Sequence, residues 1–142
     1  MKIIYGDILQ VGLGGVICHQ VNCRKVAGAG LAKQIRDRVS GWYGHFRTIN
    51  GNLGDVDYFH VGDTVIASLY AQDEYGTDKQ YTDYMALKAC LQRVASYHNA
   101  HHDKIVYFPW GIGAGLGGGD WEVISKMIDD TIINPVIVRL SE

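Results

Sequence analysis

The chain has 142 residues, 13 of them basic and 15 acidic; a formal charge of −2 argues against a general polyanion binder, which would carry a basic surplus. At 47% hydrophobic it is expected to form one domain over residues 1–142 with a real core, and its two prolines leave little sign of a linker. Three cysteines, Cys18, Cys23 and Cys90, lack metal-type spacing and fit reduced thiols in a cytoplasmic protein, and no apolar run nears the roughly 20 residues needed to span a bilayer.

In chain order, Lys2 to Tyr5 reads as a first strand ended by Gly6-Asp7-Ile8. Gly12, Gly14 and Gly15 turn the chain into a second strand, Val16 to Val21, apolar enough to be central. That strand runs into Asn22-Cys-Arg-Lys-Val-Ala-Gly-Ala-Gly30, after which Leu31, Ala32, Ile35 and Val39 recur at helical spacing. Residues 41–54 give a weak signal, with Trp42, Tyr43 and Phe46 as core or rim aromatics. Tyr58 to Val61 and Thr64 to Tyr70 predict a hairpin turning at Gly62-Asp63. The segment 72–80 is polar and turn-like, and Tyr84, Leu87, Leu91 and Val94 mark a helix ending near His98-Asn99.

Lys104 to Phe108 predicts a further strand. Behind it stands Pro-Trp-Gly-Ile-Gly-Ala-Gly-Leu-Gly-Gly-Gly-Asp120, then a helix capped by Asp120 with Val123, Ile124, Met127, Ile128 and Ile132 in register. Pro135 to Leu140 is the last strand. Interleaved strands and helices with one hairpin predict an α/β fold, a mixed sheet between helices.

The strand, glycine loop, helix junction occurs twice, and such junctions present backbone N–H groups at the positive end of a helix where glycines admit a ligand closely. Two of them on neighbouring strands would face each other across one crevice. The nucleotide signatures do not fit: no Gly-x-x-x-x-Gly-Lys-Ser/Thr is present, and Gly113-Ala-Gly115 lacks the rest of a dinucleotide unit.

Gly6-Asp7-Ile8 after the first strand, Asn22-Cys23 before Ala27-Gly-Ala-Gly-Leu-Ala32, and Gly111-Ile-Gly-Ala-Gly-Leu116 before a helix together resemble the macro domains. The likeness runs from Met1 to Leu140 and is strongest to small stand-alone phage and bacterial members; ADP-ribose 1″-phosphate phosphatases and ADP-ribosyl-glutamate hydrolases are also similar. It implies a three-layer α/β/α fold around a mixed, mostly parallel six-stranded sheet. The implied ligand is ADP-ribose or ADP-ribose 1″-phosphate, possessed free or on modified protein or nucleic acid, by a monomer needing no cofactor and no metal. Asp7 with Ile8 would meet the adenine amino group, a donor that guanine lacks. Gly28, Ala29, Gly30 and Leu31, with Gly113, Ala114, Gly115, Leu116 and Gly117, would enclose the diphosphate and distal ribose.

Asn22 would orient the distal ribose, and His19, near its ordinary pKa, would assist water in removing the 1″-phosphate. The alternatives are a reader without turnover, or a hydrolase freeing ADP-ribose from protein carboxylates or nucleic-acid bases. The chain departs from the glutamate-hydrolase pattern: Gly117 stands where those relatives carry an aspartate, and no lysine aligns, Lys25, Lys79 and His60 being unpersuasive. Asp120 reads as a helix cap, Cys23 as an ordinary thiol, the His98, His101 and His102 group as a solvated turn, and Trp110, Tyr70 and Tyr75 as packing aromatics with an option on a sugar or base.

Overall fold

The computed structural model describes residues 1–141. The strands are β1 (Lys2–Tyr5), β2 (Val16–Asn22), β3 (Val56–Val61), β4 (Thr64–Gln72), β5 (Val106–Pro109) and β6 (Val136–Arg139). The helices are α1 (Ile8–Val11), α2 (Gly30–Arg38), α3 (Trp42–Thr48), α4 (Tyr84–Ala100) and α5 (Trp121–Thr131). They form one sheet in the order β1-β6-β5-β2-β4-β3, parallel throughout except for the β3–β4 hairpin.

β4 shows why the sheet is sandwiched. Val65, Ala67, Leu69 and Ala71 point to one side, into a core built with Leu87, Leu91 and Val94 of α4 and Ile124 and Ile128 of α5. Ile66 and Tyr70 point to the other, against Ile35 of α2 and Trp42 and Phe46 of α3. A strand covered on both faces must be apolar at nearly every position, as β4 is. Parallel strands need crossovers: α5 supplies the one between the neighbours β5 and β6, and α4 the one from β4 over β2 to β5. The fold is the expected three-layer α/β/α arrangement around a mixed, mostly parallel six-stranded sheet.

The hairpin turns at Gly62, whose φ of +59° suits a residue without Cβ; β3 begins earlier, at Val56, and β4 ends later, at Gln72, than their apolar runs suggested. Two helices were not legible. One turn of α1 follows Asp7, whose Oδ1 accepts from the Leu9 N–H at 3.0 Å. α3 occupies part of the weakly patterned stretch; its Trp42 and Phe46 rings stack 4.8 Å apart and both are buried. Gly44 in its middle lowers helix propensity, so burial of that i, i+4 pair holds the helix.

β2 lies between β5 and β4. The segments leaving the carboxyl ends of these three neighbours therefore crowd one edge of the sheet, where the sheet's crossover directions diverge.

Candidate functional site

The segment after β2 is folded by one side chain. Asn22 Oδ1 accepts from the N–H groups of Arg24 at 3.0 Å and Val26 at 3.2 Å, while its Nδ2 donates to Val26 O at 2.8 Å. Lys25 takes a φ of +62° inside this ring. One Nδ2 proton of Asn22 is left over, and the residue lines the cleft described below. α2 then starts at Gly30 with Ala29 at its N-cap, which offers no capping side chain. The first N–H groups of this helix are thus available to a ligand.

The loop after β5 is held from beneath. Thr82 Oγ1 donates to Gly113 O at 2.6 Å, and the Tyr81 and Thr82 N–H groups donate to Gly117 O at 2.8 and 3.0 Å. Gln20 on β2 donates from Nε2 to Thr82 Oγ1 at 2.8 Å and to Gln72 Oε1 at 2.7 Å. A Cβ at Gly117 would fall onto Thr82 Oγ1, and it would lie 2.9 Å from Gly113 O. No side chain fits there, so the missing acid at Gly117 has a steric cause. Among the described residues, the N–H groups of Gly113, Gly115, Leu116 and Gly117 make no hydrogen bond within the chain. Asp120 caps α5, its Oδ1 accepting from Glu122 N–H at 2.9 Å.

Between the loops lies a cleft of about 590 Å³, walled by the two glycine segments and by Tyr75, Gly76 and Thr77 from the β4–α4 connection. Of that third wall the sequence offered only Tyr75, as an aromatic with an option on a sugar or base; Gly76 and Thr77 were missed, because the segment is polar and unpatterned and only β4's position brings it to the site. A smaller lobe of about 360 Å³ shares Leu31, Pro109 and Trp110 with the first and is lined by Asp7 and Ile8. The structure therefore brings His19, Asn22, Gly28, Ala29, Gly30, Leu31, Gly113, Gly115, Leu116 and Gly117 to the large lobe and Asp7 and Ile8 to the small one. Ala114 is the exception: it packs against the core on the α4–α5 side of the sheet and does not line the cleft.

No charged side chain lines the large lobe among the described residues. The small lobe holds Asp7 and Arg139, whose guanidinium sits 4.3 Å from the centre of the Trp110 ring. The Asp7 carboxyl is held below the usual carboxylate range, chiefly by its hydrogen bond with Arg38.

His19 does not meet the expectation of an ordinary titrating histidine. It is 1% exposed, with its Nε2 2.8 Å from Ser68 Oγ and its ring edge-on to Trp42 at 5.2 Å. Burial pulls its pKa down to about 3, so the ring is neutral wherever the protein would work. It supports the wall under α3. Cys23 is half-buried, and burial with nearby Asp73 and Asp55 pushes its thiol up, away from reactivity.

No family model matches the chain. It is 27% identical over 140 residues to an uncharacterized 17.5 kDa protein from the tk-vs intergenic region of Enterobacteria phage T4, covering 91% of this chain and 88% of that one. Among solved structures it is similar to a Bacteroides thetaiotaomicron protein (25% identity, TM-score 0.85, 98% of both chains). A Streptomyces coelicolor macrodomain protein aligns over 97% of both chains at 24% identity and TM-score 0.76. The Thermosipho africanus DarTG protein, solved with ADP-ribose, aligns over 96% of this chain and 40% of its own at 17% identity and TM-score 0.78. The order of elements, the sheet and these likenesses agree: the chain has the macrodomain fold.

Proposed function

We propose that this chain binds ADP-ribose, with adenine in the small lobe against Asp7 and the distal ribose in the large lobe between the glycine loops. The observation that carries this reading is a two-lobed cleft with a carboxylate at one end and, at the other, backbone N–H groups from both loops without partners. A diphosphate between them would be held by peptide dipoles and the start of α2 rather than by cations. The ADP-ribose in the T. africanus neighbour supports the same ligand.

The reaction proposed is hydrolysis of ADP-ribose 1″-phosphate. The neutral lining of the large lobe supports it through leaving-group chemistry: among the described residues that line this lobe there is no carboxylate, lysine or titrating histidine to protonate a departing group. Phosphate, with a second pKa of about 6, departs as an anion without such help. Water oxygen would bond to C1″ as the C1″–O bond breaks and its electron pair goes to phosphate, the water proton passing to solvent. The spare Nδ2 proton of Asn22 would orient the ribose. A protein carboxylate leaves equally well, whereas a nucleobase nitrogen leaves poorly, so among the alternatives the carboxylate ester fits better.

Two observations, the packed Gly117 and the neutral His19, equally favour a reader that binds without turnover. Calorimetry with ADP-ribose, joined to phosphate release from the 1″-phosphate, decides. Binding with release that Asn22→Ala abolishes supports the hydrolase; binding without release supports the reader. No binding to either compound would remove the ligand assignment.

A further inference from the structure

α2 joins the two lobes. Its uncapped start at Gly30 stands in the large lobe, and its last residue, Arg38, donates from Nη2 to Asp7 Oδ2 at 2.6 Å. Leu31, Gln34 and Arg38 fall on one face of this helix, and the first two line the small lobe. The other oxygen of Asp7 is already committed to the Leu9 N–H. Without Arg38 the carboxylate would keep a cap bond to a single oxygen and turn about it. With Arg38 both oxygens are fixed, and each keeps a lone pair for a further donor. A cation at a helix C-terminus is itself favoured by the helix dipole.

On the reading of the cleft as an ADP-ribose site, we infer that Arg38 is a positioning residue for adenine recognition. It aims Asp7 at the exocyclic amino group, and α2 sets the distance between that carboxylate and the phosphate-facing N–H groups. Nine residues of helix measure about 13 Å, a rigid span between the two halves of one extended ligand.

The test compares ADP-ribose with its inosine analogue, which lacks the amino group, by calorimetry on the parent protein, Arg38→Met and Arg38→Lys. Arg38→Met should weaken ADP-ribose about 10-fold while changing the inosine analogue less than about 2-fold, with Arg38→Lys between the parent and Arg38→Met. Equal losses for both ligands would mean a general distortion of the lobe and would overturn the inference. So would parental affinity for both, or tighter ADP-ribose binding in Arg38→Met, the result expected if the arginine competed with adenine for the carboxylate. A parent protein that binds neither ligand would instead sink the ligand assignment on which this rests.

Discussion

At Gly28 an added Cβ would meet only a Val26 methyl, 4.0 Å away, whereas at Gly117 it would strike Thr82 and come within 3.0 Å of Gln20 Nε2. The first loop is tied through its own Asn22 and leaves open space above its glycines. The second is filled from below by Thr82 and Gln20, and at Gly119 by Ile124 as well. Glycine at Gly28 keeps room for something outside the protein; at Gly113, Gly117 and Gly119 it keeps room for the protein itself, while Gly111 and Gly115 in that second loop face open space. Two loops alike in sequence thus answer to different constraints, and substitutions separate them.

The largest effect should come from Gly117→Ala, which overpacks the second loop and is expected to cost about 3 kcal/mol in urea unfolding. Adding Thr82→Ala removes the struck oxygen, so the double variant should recover part of the loss; strict additivity would break the comparison. Next is His19, at the root of the first loop. Its folded pKa of about 3 lies below the unfolded value near 6.5, so the neutral ring is unpenalised above pH 6.5 and stability falls as pH drops toward 3. The slope should approach about 1.4 kcal/mol per pH unit just below 6, before carboxylates titrate, and His19→Gln should flatten it in urea melts at pH 6.5, 6.0 and 5.5.

A smaller loss, about 1–2 kcal/mol, is expected for Asn22→Ala, which strands the Arg24 and Val26 N–H groups. Asn22→Asp keeps the acceptor oxygen and should hold most of the fold while losing the donor offered to a ribose. Gly28→Ala closes the series: folding stability within about 0.5 kcal/mol of the parent, but weaker ADP-ribose binding. A destabilised Gly28→Ala would show the two loops to be alike after all.

What was readable in the chain follows from the range of the interactions involved. Both strand, loop, helix junctions, the Asp120 cap and the Gly62 hairpin are local and appear as spacing and residue type. α3 was hidden because Trp42 and Phe46 are helical through burial against the sheet, with Gly44 contradicting them locally. Arg38 was hidden because its partner Asp7 is 31 residues away. Gln20 and Thr82, 62 residues apart, meet only through strand order. His19 was read in the right strand, but its neutrality depends on Trp42 and Ser68 covering it, which no local pattern announces.

The uncharged lining of the large lobe also bears on how a ligand arrives. With no charged side chain lining the large lobe among the described residues, the lobe itself adds no local cationic steering of phosphates, so the encounter rate should change little with ionic strength. Abundant polyphosphates and nucleic acids would gain nothing from the site's field. Discrimination would fall on dissociation, where only a ligand that reaches both lobes together engages the full set of donors and stays.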